Sequence, residues 1–313
     1  MAAVELTFCV VNTEQRALLI ECLDAVQRER ASLDFETEVL VLDNASTDGS
    51  AGAARNHPAV DAVIALEQRT GKGENDSTLL KQAKGQYCLL LNEDAILQPG
   101  SVRALYDALS SDDRAAAAGA KLLRPNGRVQ PSAWRFPGVC SAIAAALFVH
   151  KVVSVQSRGS KTRYVDWAQS SALLVRRSAA EEIDWLDPQF FVYSDEVDFC
   201  KRLRKAGWRT LWVPAAEVVH HEQLSTAAVP EPRIVEFSRN RDRYMRKHHS
   251  RATACFVRSM TAWTYAVRAG LAVFVPGHSP KRYWRHVTAT LFPGESEGLR
   301  EVAGHYNRGG PTL

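Results

Sequence analysis

The chain has 313 residues, of which 46% are hydrophobic and 24% are charged. This is ordinary globular composition, which excludes intrinsic disorder, collagen-like repeats and a small disulfide-stapled scaffold. No uncharged apolar run reaches the length of a membrane-spanning helix, and the N-terminus lacks the basic segment of a secretory signal. The six cysteines are scattered without C-x-x-C spacing, so we expect reduced core residues in a cytoplasmic protein.

Charge is distributed unevenly along the chain. Residues 231–313 contain 14 of the 39 Lys and Arg residues but only 6 of the 35 Asp and Glu residues. This segment therefore carries +8, whereas residues 1–230 carry −4. The change predicts two parts, a domain over 1–230 and a basic C-terminal extension over 231–313. Such an extension meets nucleic acid or anionic lipid, or is a solvated helical surface.

Strands and helices alternate in the first hundred residues. Short apolar runs predict strands, and apolar residues at helical spacing predict helices. The predicted strands are 6–11, 38–42, 60–66 and 87–91, and the predicted helices are 17–26 and 76–83. This alternation favours a parallel α/β sheet with right-handed crossovers.

The second half of the chain is less regular. Residues 140–149 are apolar and favour a helix, and 170–175 favour a strand or the start of a helix. Residues 195–206 predict a helix ending at Gly207, followed by a strand over 208–213 that Pro214 would stop. The apolar, aromatic stretch 256–275 predicts a helix with basic flanks.

Polar residues recur where the predicted strands end, at Asn12, at Asp43 and at 92–94. In open α/β sheets, ligands bind at the carboxyl ends of the strands. The pattern therefore predicts one site built from three distant segments.

Several of these residues have two readings from the sequence alone. Asp94 after a buried strand is either a ligand for Mg²⁺ or Mn²⁺ or a turn residue. Asp43 either accepts a hydrogen bond from the N3–H of uracil or thymine or caps a turn. Asp195 and Glu196 either match the dipole of the helix that they begin or supply a general base. His220 is either structural or completes a metal site.

The motifs in their order resemble one family. The segments are VLVLDNASTDGS, YCLLLNEDAIL and SSALLVRRSAAEEIDWLDPQFFVYSDEVDFCKRLRKAGWRTLWVPAAEVVHH, with a Gly-rich loop after the first. Over about residues 5–221 the chain closely resembles the family-2 inverting glycosyltransferases with the GT-A fold, especially the bacterial rhamnosyltransferase-like branch. The resemblance implies a mostly parallel α/β sheet flanked by helices, with a C-terminal helical extension.

The resemblance assigns residues to the nucleotide-sugar and its metal ion. Asp43 matches the acid that reads the nucleobase, with Asn12 and Thr13 in the adjoining strand end. The Asn92-Glu93-Asp94 segment matches the family's Asp-x-Asp motif, with Asp94 as the ligand of Mg²⁺ or Mn²⁺ and Asn92 and Glu93 beside the donor.

The resemblance implies further roles at positions where this sequence departs from the pattern of the family. His220 matches a His that some relatives use as an additional metal ligand. Asp195-Glu196 matches the catalytic Glu-Asp pair in reversed order, so the base is Glu196 by position, with Asp195 as the alternative. Arg69 and Lys72 replace the usual residues around the Gly-rich loop and could contact the diphosphate.

The implied reaction is a single displacement that inverts the anomeric centre. The donor would be dTDP-rhamnose or a UDP-sugar, and the acceptor a glycan, a lipid-linked sugar or a small molecule. For residues 231–313 we expect either contact with an anionic membrane surface, on the inner face of the cell membrane, or a helix pair that packs on the catalytic domain or on a second subunit of a homodimer. A nucleotidyltransferase and a non-catalytic sugar-nucleotide-binding module are the alternatives; nucleic-acid binding is disfavoured by the acidic body.

Overall fold

A computed structural model describes residues 3–222 and 230–309. The chain divides into two compact units, each described separately below. The first unit is Met1–Trp134, Gln156–Pro188 and Asp195–Ser225, and the second is Arg135–Val155, Gln189–Ser194 and Thr226–Leu313. The second unit thus contains two segments that lie before the boundary drawn at residue 230 from the charge pattern.

The first unit is built on a ten-stranded mixed sheet, with a separate two-stranded sheet. The strands are β1 Leu6–Asn12, β2 Thr37–Asp43, β3 Ala62–Ala65, β4 Tyr87–Asn92, β5 Ala95–Leu97, β6 Ala115–Leu123, β7 Val129–Gln130, β8 Ala133–Trp134, β9 Arg163–Val165, β10 Trp167–Ala168, β11 Ala172–Arg176 and β12 Arg209–His220. The main order is β3-β2-β1-β4-β11-β6-β12-β5; β7 pairs with β6, β9 pairs with β12, and β8 with β10 forms the small sheet.

Helices cover the sheet of the first unit and make up most of the second. They are α1 Arg16–Ala31, α2 Ser50–Arg55, α3 Lys72–Gln82, α4 Ser101–Ser110, α5 Val139–Ala146, α6 His150–Val153, α7 Arg177–Glu182, α8 Asp195–Lys205, α9 Pro230–His248, α10 Arg251–Leu271, α11 Pro280–Leu291 and α12 Leu299–Asn307. In the described part of the chain, no helix is both long and apolar enough to cross a bilayer.

The parallel half of the sheet explains the near-continuous apolar runs in the sequence. All residues of β1 and β2 are buried. Strands covered on both faces need apolar side chains at successive positions, which removes the usual alternation. β1 pairs in parallel with β2 and β4, in a register that sets Asn12 beside Asp43 and Val11 beside Asn92. The predicted meeting of three strand ends is therefore a direct result of this register.

The predicted elements agree with the structure, with differences at some boundaries. Helix α3 begins at Lys72, four residues before the predicted start, because Gly71 provides the extended residue that precedes its first turn. The segment 170–175, for which the sequence favours either a strand or the start of a helix, contributes most of β11.

The prediction that Pro214 ends a strand is wrong, because β12 continues through it to His220. The pairing of β12 with β6 shifts register between Val213 and Glu217. A proline lacks the N–H for a regular ladder but is tolerated at such an irregularity. The continuation pairs with β5, and this pairing sets His220 opposite Ala95.

In the second unit, α10 packs against α5, α9 and α11, and α12 packs against α9. Helix α10 buries one face, including Ala254, Val257 and Ala262. Not every cysteine is in the core as expected: Cys140 in α5 and Cys255 in α10 are exposed, and the other four are buried and free.

Candidate active site

Asp43 and Asn12 form a buried pair at the ends of neighbouring strands. The Asn12 side-chain N–H donates to Asp43 Oδ1 at 2.8 Å, and the Ser46 backbone N–H donates to Asp43 Oδ2 at 3.0 Å. These bonds hold the Asp43 carboxylate fixed at the carboxyl edge of the sheet. The buried Oδ1 of Asn12 has no hydrogen-bond partner among the described residues, so an acceptor remains for a donor group of a ligand.

The loop that follows β3 is fastened to the loops after β1 and β2. Asn44 accepts from the Thr70 backbone N–H at 2.9 Å and donates to the Thr70 carbonyl at 3.1 Å. Arg69 makes an ion pair with Glu14, whose carboxylate also accepts from Thr47. Thr13 lies within this network, since Asn44 donates to its hydroxyl at 3.4 Å. The three loops therefore form one rigid rim at the strand ends.

Asp94 and His220 meet because β5 pairs with the end of β12. Both side chains are almost fully buried, and His220 Nε2 lies 3.3 Å from Asp94 Oδ1. The Asp94 carbonyl also accepts from the His221 backbone N–H at 3.1 Å. The sequence placed these residues 126 positions apart, and the antiparallel pairing brings them together.

The neighbours of His220 determine which of its ring nitrogens carries a proton. The Gln130 amide N–H donates to the Glu222 carboxylate at 2.9 Å, so the Gln130 carbonyl oxygen is the atom that faces His220. His220 Nδ1 lies 3.2 Å from that oxygen and must donate to it. In the neutral ring this leaves a lone pair on Nε2, which has no hydrogen-bond partner in the described part of the chain.

In the neutral ring this lone pair would face the Asp94 carboxylate oxygen at 3.3 Å with room for a cation between them, whereas a protonated Nε2 would form an ion pair with Asp94. Two ligands in adjacent positions on a cation at about 2.1 Å are about 3 Å apart, close to this spacing. Within residues 3–222 and 230–309, no group of three or more His, Cys, Asp or Glu side chains could hold a metal ion. Asp94 and His220 would supply two protein ligands to a Mg²⁺ or Mn²⁺ ion, whose remaining ligands would have to come from water and from a phosphate-bearing substrate.

Glu93 is half-buried beside this pair. Burial, followed by the negative charge of Asp94, raises the pKa of Glu93 to about 8. The positive charge of Lys72 opposes this shift, which places Lys72 within electrostatic range of Glu93.

Lys72 and Asp76 form an ion pair one turn apart at the start of α3. Lys72 Nζ lies 2.6 Å from Asp76 Oδ2, and the Asp76 side chain is fully buried. The charges of Asp76, Asp195 and Glu196 raise the pKa of Lys72 against the opposing effect of burial, which is the largest single contribution. Lys72 is thus within electrostatic range of both Glu93 and the acid pair of α8.

Asp195 and Glu196 begin α8, and they differ in exposure. Asp195 is 1% exposed, whereas Glu196 is partly open to solvent. Burial, followed by the charge of Glu196, raises the pKa of Asp195 well above its usual value, while Lys72 acts in the opposite direction. Asp195 is therefore the carboxyl of the pair that holds a proton most strongly.

The backbone before α8 is strained. Tyr193 and Ser194 are consecutive non-glycine residues in the left-handed region, with φ of 67° and 64°. Such residues cost of order 1–3 kcal/mol each and are retained where the surrounding structure fixes them.

Helix α8 is itself fixed within the first unit by Arg202. This side chain binds Asp198 at 2.7 Å and donates to the carbonyl of Trp185 at 2.6 Å.

The structure thus brings together Asn12, Asp43, Asp94 and His220 at the strand ends, and Lys72 connects Glu93 with the acid pair electrostatically. Reasoning from the sequence missed Asp76 and Gln130 as members of the site. The spacing of Lys72 and Asp76, four residues apart at the start of a helix, was a usable signal for the first. Gln130 lies in a two-residue strand that no periodicity could reveal.

One family profile matches most of the chain. The profile described as "Glycosyltransferase like family 2" matches residues 3–266. An N-acetylglucosaminyl-diphospho-decaprenol L-rhamnosyltransferase of Mycobacterium tuberculosis is 32% identical over 249 residues, covering 72% of this chain and 81% of the relative.

Solved structures share the fold at low identity. The mannosyltransferase PcManGT from Pyrobaculum calidifontis, solved with GDP-Man and Mn²⁺, aligns with a TM-score of 0.60 at 16% identity, covering 93% of this chain and 88% of that one. Residues 1–349 of TarS from S. aureus, solved with UDP-GlcNAc, align with a TM-score of 0.55 at 16% identity, covering 98% and 88%. These likenesses confirm the predicted GT-A fold.

Proposed function

Because the chain belongs to glycosyltransferase family 2, we propose that it is an L-rhamnosyltransferase that uses a dTDP-linked donor and a lipid-linked acceptor. The alternatives of a nucleotidyltransferase and a non-catalytic binding module are set aside by the family. The relative from M. tuberculosis acts, by its name, on N-acetylglucosaminyl-diphospho-decaprenol, so an N-acetylglucosamine on a polyprenyl diphosphate is the acceptor that we propose. A UDP-sugar remains the alternative donor.

The donor would lie along the strand ends. Asp43, held by Asn12 and Ser46, would accept a hydrogen bond from the N3–H of thymine or uracil. Arg69 and Lys72 supply positive charge for the diphosphate from the rigid rim and from the start of α3. A cation between Asp94 and His220 would stabilise the charge that develops on the leaving diphosphate.

Glu196 is the base in this proposal. It is the accessible member of the acid pair, and an acceptor hydroxyl must reach the carboxylate that deprotonates it. Asp195 is buried, and burial raises its pKa, so we assign it the role of a positioning residue. Attack from the side opposite the diphosphate would invert the anomeric centre.

The observation that carries the proposal is the buried contact of Asp94 with His220, in which a carboxylate oxygen and a ring nitrogen lie 3.3 Å apart at the carboxyl edge of the sheet. A cation held by these two side chains would keep its other positions for a diphosphate. That arrangement would suit a nucleotide-diphosphate donor.

The first test concerns metal-dependent donor binding. Calorimetry with dTDP-rhamnose should show binding to the unaltered protein that strengthens with Mn²⁺, and Asp94→Ala should lose the Mn²⁺-dependent part. Glu21→Gln, in an exposed position of α1, is the control. Equal Mn²⁺ dependence in Asp94→Ala would remove the cation site from the proposal.

The second test concerns the base. With dTDP-rhamnose and an N-acetylglucosaminyl-diphospho-lipid, Glu196→Gln should lower kcat by about 10²–10⁴-fold while leaving donor affinity unchanged. A kcat close to that of the Glu21→Gln control would contradict the role of Glu196. If Asp195→Asn alone abolished turnover, the base would be Asp195.

A further inference from the structure

The second unit exposes a group of large apolar side chains on two neighbouring segments. One segment runs from the end of α5 into α6, and the other runs from the last residue of α10 into the turn after it. Phe274 is 83% exposed, and Val273 is 68% exposed. We call this group the apolar tip, and it consists of Leu147, Phe148, Val149, Val152, Leu271, Val273, Phe274 and Val275.

The two segments form one surface. Helix α10 packs against α5, and the Arg268 guanidinium lies over the Phe148 ring, 5.7 Å from its centre. A cavity of about 400 Å³ opens between the two segments. Its lining combines the apolar Leu271 and Val275 with the basic His150, Lys151, Arg268 and His278.

The two stretches of sequence that contain the tip carry no acidic residue, although Asp242 and Glu231 outside them pair with Arg246, Arg258 and Arg285. The sequence contains no Asp or Glu between residues 135 and 155 or between 243 and 294, and these two stretches contain eleven Lys and Arg residues. Burial, followed by the charges of Arg268 and Lys151, lowers the pKa of His150. The cavity is therefore a place where an anion would be attracted.

The charge around the apolar tip favours an anionic bilayer over a second copy of the chain as its partner. A second copy of the chain would bring an equally basic face against it, and like charges facing each other oppose association. An anionic bilayer offers both complements, because its phosphates attract the basic residues and its acyl boundary accepts the apolar side chains.

We propose that the apolar tip inserts into an anionic lipid bilayer and that the cavity beside it binds a lipid phosphate. This goes beyond the proposed transfer reaction, since it does not depend on which sugar is moved. It also changes the expectation for residues 231–313. The proposed contact is made by the turn after α10 together with residues 147–152, which lie outside that range.

Neither the apolar side chains of the tip nor the basic residues beside it suffice alone for stable attachment to a bilayer. A few apolar side chains give marginal, reversible binding, and stable attachment takes a second contribution such as a basic patch. We therefore expect binding that needs anionic lipid and weakens as salt is added, because surface charges are screened.

Sedimentation with vesicles tests the proposal on the full chain. The protein should bind vesicles of equal parts phosphatidylglycerol and phosphatidylcholine and should remain in the supernatant with phosphatidylcholine alone. Inorganic phosphate at millimolar concentration should compete weakly at most, because it lacks an acyl chain. Equal binding to both vesicle types, or to neither, would overturn the proposal.

Matched variants separate the tip from general charge. Val273→Asp should weaken binding about tenfold or more, whereas Val129→Asp, at an exposed valine of the first unit, should not. Lys151→Gln should weaken it about fivefold, and Lys161→Gln, at an exposed lysine of the first unit, should have little effect. Equal losses within either matched pair would contradict the assigned surface.

Two further readouts separate bilayer insertion from dimer formation and from catalysis. If Val273→Asp dissociated a dimer without changing vesicle binding, the tip would be an interface between copies and the proposal would fail. Transfer to a short-chain, water-soluble acceptor should be unchanged in Val273→Asp and Lys151→Gln. Absence of that transfer in the unaltered protein would overturn the proposed reaction and leave the vesicle result intact.

Discussion

At the scale of single residues, the orientation of the His220 ring depends on Gln130, a side chain that we do not assign as a metal ligand. Gln130 accepts from Nδ1 of His220, and Glu222 fixes the orientation of the Gln130 amide. Residues that orient a metal-binding His in this way usually change metal affinity when they are replaced.

We expect Gln130→Leu to weaken Mn²⁺ binding about 10–100-fold in the presence of dTDP, because Nδ1 loses its acceptor and the ring can turn. Calorimetric titration of Mn²⁺ measures this directly. Gln86→Leu, at an exposed glutamine of the first unit, serves as the control. Unchanged Mn²⁺ affinity in Gln130→Leu would show that the ring is held by packing alone.

Asp195 gives a prediction about stability and pH. Its pKa in the folded protein is raised above the usual 3.8, mainly by burial and then by Glu196. Ionising it therefore costs free energy in the folded state, so the protein loses stability as pH rises from about 4 through the raised value. Asp195→Asn removes this loss.

The melting temperature of Asp195→Asn should therefore exceed that of the unaltered protein by an amount that grows as pH rises above about 4. Thermal unfolding at several pH values without metal or nucleotide measures it. A constant difference across this range would mean that Asp195 ionises without cost. A stabilising change at a residue that positions the base would also fit the general conflict between stability and activity.

The sequence predicted where Asn12, Asp43 and Asp94 lie in the sheet better than it predicted which side chains contact each other. Asn12, Asp43 and Asp94 follow apolar strands, so their position at one edge follows from strand direction alone. The contact of Asp94 with His220 depends on a strand of three residues, β5, which is too short for any periodicity. The pairing of Lys72 with Asp76 was missed because the helix was predicted to start too late.

At the scale of elements, the sequence likewise predicts the elements themselves better than their pairing. Continuous apolar runs predict buried strands such as β1 and β2, and the predicted bounds lie within two residues of the observed ones at each end. The course of β12 past Pro214 could not be predicted, because the tolerance for proline comes from a shift in pairing with β6. That shift is a property of two strands almost a hundred residues apart.

Gly119 in β6 shows how closely the small sheet approaches the large one. A Cβ atom built at Gly119 would lie 2.4 Å from the Cβ of Ala168 in β10, far inside van der Waals contact. Gly119→Ala should therefore destabilise the first unit by about 2 kcal/mol, as is usual for overpacking in a core. Urea denaturation measures this loss.

The double variant Gly119→Ala with Ala168→Gly keeps the number of methyl groups and removes the clash. It should recover most of the stability lost in Gly119→Ala, less the cost of about 0.5–1 kcal/mol for a glycine in a strand. If the second change gave no recovery, the strain would lie elsewhere, for example at Leu173, which is 3.7 Å from the same point.

At the scale of the whole molecule, the uneven charge has a consequence inside the second unit. His286 stacks on Tyr265 with 4.3 Å between the ring centres. Burial, followed by the charges of Arg241, Arg282 and Arg268, lowers its pKa to about 4. The basic composition that was read from the sequence as a surface property thus also acts on a partly buried side chain.

The sign of the effect follows from which state binds the proton. Between pH 6.5 and about 4 the unfolded chain protonates His286 and the folded protein does not, so stability falls as pH falls through this window. His286→Phe keeps an aromatic ring for Tyr265 and removes the titration. Calorimetric melting from pH 7.5 to pH 4.5 should therefore show a smaller decrease in melting temperature for His286→Phe than for the unaltered protein. The difference at pH 7.5 measures the effect of the substitution on packing alone.

Added salt should reduce the difference, because the three arginines act on His286 through partly screened charge. Parallel pH dependence in the two proteins would mean that the arginines around His286 are neutralised by other groups and that the second unit does not carry the acid sensitivity assigned to it.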